Sequence, residues 1–164
     1  MTALLENLKN MASPSGLRLL WSYLRAVPGG GLVLGRLLGR MAPYTGTIRP
    51  EVVSLEPGFA KLRMHDRRGL RNHLNSVHAI ALINLGEATT GLAMMYSMPD
   101  GTRGIPKALA IEYVKKARGT ITAECSCAQV TSTEKKEYEV IADLKNEAGE
   151  VVARATAKWL VGPA

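Results

Sequence analysis

The chain has 164 residues, 46% hydrophobic and 21% charged, the composition of an ordinary globular domain long enough to bury one sizeable core. Its net charge of +7 is unevenly spread, with six Lys/Arg against one acid in residues 1–50, which suits an anionic ligand or surface. Aromatics at 5% and the lack of any zinc-finger or RNP-type motif argue against nucleic acid as a partner.

In chain order, Ser13-Pro14-Ser15 supplies a cap and an N1-type proline, and Leu17, Leu20, Tyr23 and Leu24 recur at helical spacing. Pro28-Gly29-Gly30-Gly31 breaks that helix, and Leu32, Leu34, Leu37, Leu38 and Met41 begin another. Arginines interrupt both apolar faces, so neither reaches the ~20 apolar residues of a membrane span. Residues 1–42 are expected to form a helical extension docked on the body, with contact to a membrane surface as the less common outcome. The N-terminus lacks the pattern of a secretory signal, and the expected location is cytoplasmic.

From Pro43 the pattern changes, and residues 43–164 are expected to form one domain. Thr47–Leu55 and Phe59–Met64 read as strands around the turn Glu56-Pro57-Gly58, followed by a loop at His65–Gly69. Val77–Tyr96 is the longest helical candidate, apolar on most faces and stopped by Ser97-Met98-Pro99-Asp100-Gly101. Strands are predicted at Arg103–Lys116, Thr120–Thr131, Lys136–Asn146 and Val151–Val161, the last two as a hairpin. Cys125 and Cys127 alternate on one strand, a poor geometry for a disulfide, and no His stands near them for zinc, so they read as small apolar residues. A single helix apolar on most faces must be wrapped by a curved sheet, which makes the fold class α+β.

The chemistry concentrates in Asn72-His73-Leu74-Asn75-Ser76-Val77-His78, with Glu87 nine residues beyond His78 inside the apolar helix. A carboxylate there is costly unless paired or functional. Asn72, His78 and Glu87 at these separations resemble the hotdog thioesterases of the phenylacetate-degradation type. With Tyr113-Val114-Lys115-Lys116-Ala117-Arg118-Gly119, the chain looks closer still to an uncharacterised thioesterase-like branch of that superfamily, over residues 43–162. The resemblance implies a hotdog fold, a curved antiparallel sheet around a long central helix, with the N-terminal helices as an addition. It implies an acyl-CoA substrate, with coenzyme A as part of that substrate and no separate cofactor. Glu87 would then be the base or nucleophile, the Ala79 N–H the oxyanion donor, and Asn72 the amide that polarises the thioester carbonyl. A non-catalytic hotdog protein that binds acyl-CoA or acyl chains is the alternative, and Ala79-Ile80 in place of the family's Gly-Gly favours it.

Helical rise puts Ala79 and Glu87 roughly 12 Å apart along one axis. An oxyanion donor and a base serving one carbonyl must lie much closer than that. Two such helices, antiparallel across a two-fold axis, bring Glu87 of one subunit to Ala79 and Asn72 of the other, so a homodimer is expected, with pairing into a tetramer left open. Around this core, His78, Asn75, Thr90 and Gly91 are candidate substrate contacts, and Lys115, Lys116 and Arg118 are candidate partners of the coenzyme A phosphates. His73, His78 and Glu87 are too widely spaced for one coordination sphere, so no metal is expected.

Overall fold

The computed structural model describes residues 13–164; residues 1–12 of the expected N-terminal extension lie outside the described residues. Helices α1 (Pro14–Leu24), α2 (Gly30–Met41) and the single turn α3 (Pro43–Gly46) precede strands β1 (Glu51–Glu56) and β2 (Phe59–Met64). A 3-10 turn at Arg68–Leu70 leads to the long helix α4 (Ala79–Ser97), and β3 (Thr102–Tyr113), β4 (Ile121–Ser126), β5 (Lys136–Lys145) and β6 (Val151–Pro163) complete the chain. The six strands form one sheet in the order β1-β2-β4-β5-β6-β3, each neighbouring pair antiparallel. α4 therefore carries the chain from β2 to the opposite edge of the sheet, and its 19 residues pack against the strands it crosses. This is the hotdog arrangement expected from the motif.

The core explains why α4 is apolar nearly all round. Leu82, Leu85, Ala93 and Met94 meet Leu62, Ile121, Ala123, Leu144 and Ala155 in one buried cluster, each large side chain contributing about 1.5–3 kcal/mol. The N-terminal helices join that same cluster through Leu17, Trp21 and Leu34. Ser13 caps α1 by accepting from the Gly16 N–H at 3.1 Å, and Trp21 Nε1 donates to the Leu55 carbonyl at 3.1 Å. Arg18 donates to the Met98 carbonyl (2.9 Å) and pairs with Asp100 (3.0 Å), tying α1 to the end of α4. Gly31 and Gly35 lie against the chain entering β1, where a Cβ at either position would overlap the carbonyl oxygen of Val52 or Pro50. Among the described residues, α1 and α2 thus pack on the body of the protein.

Three boundaries differ from expectation by three residues or more. β1 starts at Glu51 rather than Thr47, because Pro43 starts the turn of α3, Arg49 takes a left-handed φ of 50°, and Pro50 has no N–H to pair. β4 ends at Ser126 rather than Thr131: its pairing with β5 stops at Cys125–Ala142, and the Cys127 N–H turns to the Gly58 carbonyl. β3 ends at Tyr113, after which Val114 and Lys115 both donate to the Val152 carbonyl instead of continuing the ladder. Cys125 is buried and Cys127 half-buried, both as free thiols; the neighbouring Cys127 and burial push the Cys125 thiol well above its usual range.

Candidate active site

The loop before α4 is built around Asn72. Its Oδ1 accepts from the Leu74 N–H (3.0 Å) and the Ser76 N–H (3.1 Å), and its backbone N–H donates to the Ser76 carbonyl (2.8 Å). With that oxygen committed, the side-chain NH2 is the group left for a ligand, and it meets no acceptor among the described residues. Asn75 holds a left-handed φ of 54°, a conformation asparagine tolerates better than most residues. Its Oδ1 accepts from Arg71 at 3.0 Å, and Arg71 clamps Asp66 with two bonds of 3.0 and 2.6 Å that hold the Asp66 carboxyl below the usual range. The Val77 N–H donates to Ala117 (2.8 Å) and the His78 N–H to Leu70 (2.7 Å), so the loop is fixed on both sides.

His78 is the N-cap of α4. Its Nδ1 accepts from the Ile80 N–H at 3.1 Å, and its carbonyl accepts from Ala81 (3.0 Å) and Leu82 (3.2 Å). Among the described residues the Ala79 N–H has no acceptor, and it stands at the positive end of the helix dipole. Beside it opens a cavity of about 350 Å³ lined by Asn72, Ser76, Ala79, Tyr113, Lys115 and Lys116 among others. The structure thus brings together Asn72, Ala79, Lys115 and Lys116, which the sequence analysis named for separate reasons. Tyr113 closes one wall, donating to the Ala79 carbonyl at 3.2 Å, and burial raises its phenol pKa. Lys115 is already paired with Glu150 at 2.7 Å. Arg118 opens into a neighbouring cavity of about 190 Å³ shared with Asp66, Arg71 and Asn75.

Glu87 does not line the cavity at the helix start. It lies more than two turns along α4, half-buried, its carboxylate with no hydrogen bond or ion pair among the described residues, and burial pushes that carboxyl above the usual range. Its stripe of the helix, with Ile80 and Ile83, is half open. β3 flanks it, because the register sets Leu109, Ile111 and Tyr113 opposite Ala157, Ala155 and Ala153, residues on the face of β6 turned to α4. Ile80, Leu109 and Tyr113 remain between 44% and 49% exposed. The carboxylate therefore sits at the edge of an apolar surface that one chain leaves uncovered.

Two candidates move elsewhere. Thr90 is fully buried, its hydroxyl donating to the Glu87 carbonyl (3.0 Å) and accepting from Trp159 Nε1 (3.3 Å), so it offers no atom to a ligand. A Cβ on Gly91 would come within 3.0 Å of the Trp159 ring, so the glycine makes room for tryptophan and not for an acyl group. Helical spacing alone does not say on which side of α4 the sheet lies, and both residues face the sheet. His73 is exposed. Sequence reasoning passed over Ser76, whose buried hydroxyl has no partner among the described residues and lies at the cavity, and Tyr113 as a wall; Ser76 lies inside the motif but carries no spacing signal of its own.

The profile of DUF4442, a domain of unknown function, matches residues 30–161. A search of curated protein sequences returned no match. Among solved structures, a structural-genomics crystal structure is 30% identical, with a TM-score of 0.76 over 90% of this chain and 97% of its own. A Pseudomonas aeruginosa protein of unknown function, described as a probable thioesterase, is 25% identical, with a TM-score of 0.72 over 80% of this chain and 95% of its own. A Streptococcus mutans protein bound to acetyl CoA shares the fold at 21% identity, with a TM-score of 0.61 over 70% of this chain and 89% of its own. No helix among the described residues is long and apolar enough to cross a membrane. The chain belongs to the DUF4442 family and carries the hotdog fold of the thioesterase superfamily.

Proposed function

We infer that the protein hydrolyses an acyl-CoA thioester and does so as a homodimer with composite sites. The observation that carries this reading is Glu87: a carboxylate raised in pKa by burial, without a partner among the described residues, at the rim of an uncovered apolar surface. A carboxylate in that state is a stronger base than a solvated one. It removes a proton from water as the water oxygen attacks the thioester carbon. The carbonyl oxygen gains negative charge and is met by the Ala79 N–H and the Asn72 NH2 of the partner subunit. Collapse of the tetrahedral species breaks the carbon–sulfur bond, and the proton held by Glu87 passes to the leaving sulfur, giving a carboxylic acid and free thiol. The two-fold arrangement follows from roughly 12 Å of helical rise between Ala79 and Glu87. It is supported by the exposed apolar residues of α4 and β3 that a second copy would cover.

The experiment is hydrolysis of a panel of acyl-CoA thioesters by wild type and Glu87→Ala. The expected loss is about 10²–10⁴-fold in kcat. Activity should rise with pH along a limb centred above the ordinary carboxylate range, because Glu87 must be ionised to act as base and its pKa is raised. Equal turnover by the two proteins rules out this mechanism. One feature favours a second reading, a binder of acyl thioesters without turnover: Ile80 stands beside the oxyanion position, 47% exposed, where relatives have glycine. Saturable binding of acyl-CoA by a wild-type protein that turns over none of the panel selects that reading.

A further inference from the structure

A third cavity, of about 740 Å³, lies between α2 and the chain entering β1, within the size range of small-molecule sites. Arg36 and Arg40 of α2, Arg49 of the turn before β1 and Arg67 of the loop after β2 line it, over apolar walls that include Leu32 and Ile48. The arginines paired with carboxylates among the described residues are Arg18, Arg63, Arg71 and Arg154, so none of the four in the cleft has an acidic partner there. His65, at the rim, is held by Glu51 at 2.7 Å.

Two details separate this cleft from an ordinary basic surface. Arg67 donates one N–H to the Thr47 carbonyl, yet its Nε is buried without an acceptor among the described residues, a costly state for a guanidinium donor. Arg49 holds a left-handed φ of 50°, a conformation that arginine takes only under constraint, and such strain gathers at ligand sites. Four cations around one cavity favour a multiply charged anion, and the planar guanidinium matches phosphate geometry. Thr47 and Ile48 also line an adjoining cavity of about 310 Å³ that reaches His78, Ile80 and Asn84 at the start of α4.

We propose that the arginine cleft binds the phosphate-bearing head of an elongated small molecule, whose uncharged arm runs past Thr47 and Ile48 to the start of α4. That the head is the phosphorylated nucleotide of an acyl-CoA rests on the thioesterase reading; the anion site does not depend on turnover. On this assignment Lys115 and Lys116 are not the main phosphate contacts, in keeping with the engagement of Lys115 by Glu150.

The test is calorimetric titration of coenzyme A into the full-length protein, comparing wild type with Arg36→Gln/Arg40→Gln and with Lys115→Gln/Lys116→Gln. All four side chains are exposed, and a thermal melt of each variant checks that the fold is kept. The arginine variant is expected to bind about tenfold more weakly, and the lysine variant within about twofold of wild type. The ratio of kcat/KM for an acyl-CoA over a phosphate-free N-acetylcysteamine thioester should also fall about tenfold in the arginine variant. Unchanged affinity in the arginine variant, a loss confined to the lysine variant, or no coenzyme A binding by wild type overturns the proposal. So does loss of sedimentation with phosphatidylglycerol vesicles in the arginine variant while coenzyme A affinity holds, which assigns the cleft to a lipid headgroup. Arginine-dependent coenzyme A binding without hydrolysis of any thioester supports the anion site and removes the thioesterase reading.

Discussion

The two edges of the sheet are treated differently. At the β1 edge the chain covers itself: α2 lies against the segment leading into β1, glycines let the backbones touch, and Leu34 enters the core. At the β3 edge nothing from the described residues completes the strand. β3 pairs on one side only, and Ile105, Leu109 and Tyr113 stay 44–49% exposed. Pro106, Lys107 and the bulge beside them blunt the first half of this edge, and the stretch from Ala108 to Tyr113 is the part a second chain could pair with. The difference separates an edge the chain covers itself from one that stays open among the described residues, and Glu87 lies beside the second.

The sharpest way to break the comparison is to place charge on the open edge. Leu109→Lys is expected to weaken self-association by about 10²-fold or more, read as a shift of mass in light scattering at micromolar protein, with hydrolysis falling in parallel because each composite site is split. A wild-type protein that is monomeric at those concentrations contradicts the two-fold reading. At the covered edge, Gly35→Ala drives a methyl into the Pro50 carbonyl and should destabilise the fold by about 1–3 kcal/mol, lowering Tm by several degrees. The same change in a position with free space, Gly149→Ala, meets nothing within 4 Å but has a φ of 79°, so its cost comes from backbone strain alone and should be the smaller of the two.

The smallest effect is electrostatic. Burial raises the Glu87 pKa in the folded state, so the stability linked to its protonated form is present below the ordinary carboxylate range and lost as pH rises through the raised value. Glu87→Gln should therefore raise Tm by a few degrees near pH 8 and change it little near pH 4. Thermal melts of both proteins across that range test the sign; a Tm difference that is the same at both ends contradicts an unpaired, desolvated carboxylate. Gain of stability together with loss of turnover is the pattern expected where a site is held at the expense of the fold.

Much of this was legible in order and spacing. The switch from helical to alternating periodicity after Pro43, the long apolar helix and the C-terminal hairpin are local signals, and they led to the right architecture. Asn72 and Ala79 were found because a loop-and-helix-start motif is short in sequence, and the structure brings them to one cavity with Lys115 and Lys116. Thr90 and Gly91 were misplaced for an equally physical reason. On a helix apolar all round, periodicity cannot distinguish the face turned to the sheet from the face left open, and Trp159, sixty-nine residues after Thr90, decides it. The arginine cleft was visible only as an N-terminal surplus of charge, since its members come from α2, the turn before β1 and the loop after β2.

What the sequence by itself determined was the set of local elements and the distance along α4 between the helix start and Glu87, because both follow from backbone geometry and side-chain periodicity over a few turns. What only the tertiary structure decided was which faces are used: Thr90 turned inward to Trp159, Glu87 at an uncovered surface, and four arginines gathered around one cavity. Those outcomes depend on packing between segments far apart in the chain, and burial, which sets both the pKa of Glu87 and the exposure of Leu109, exists only once those segments meet.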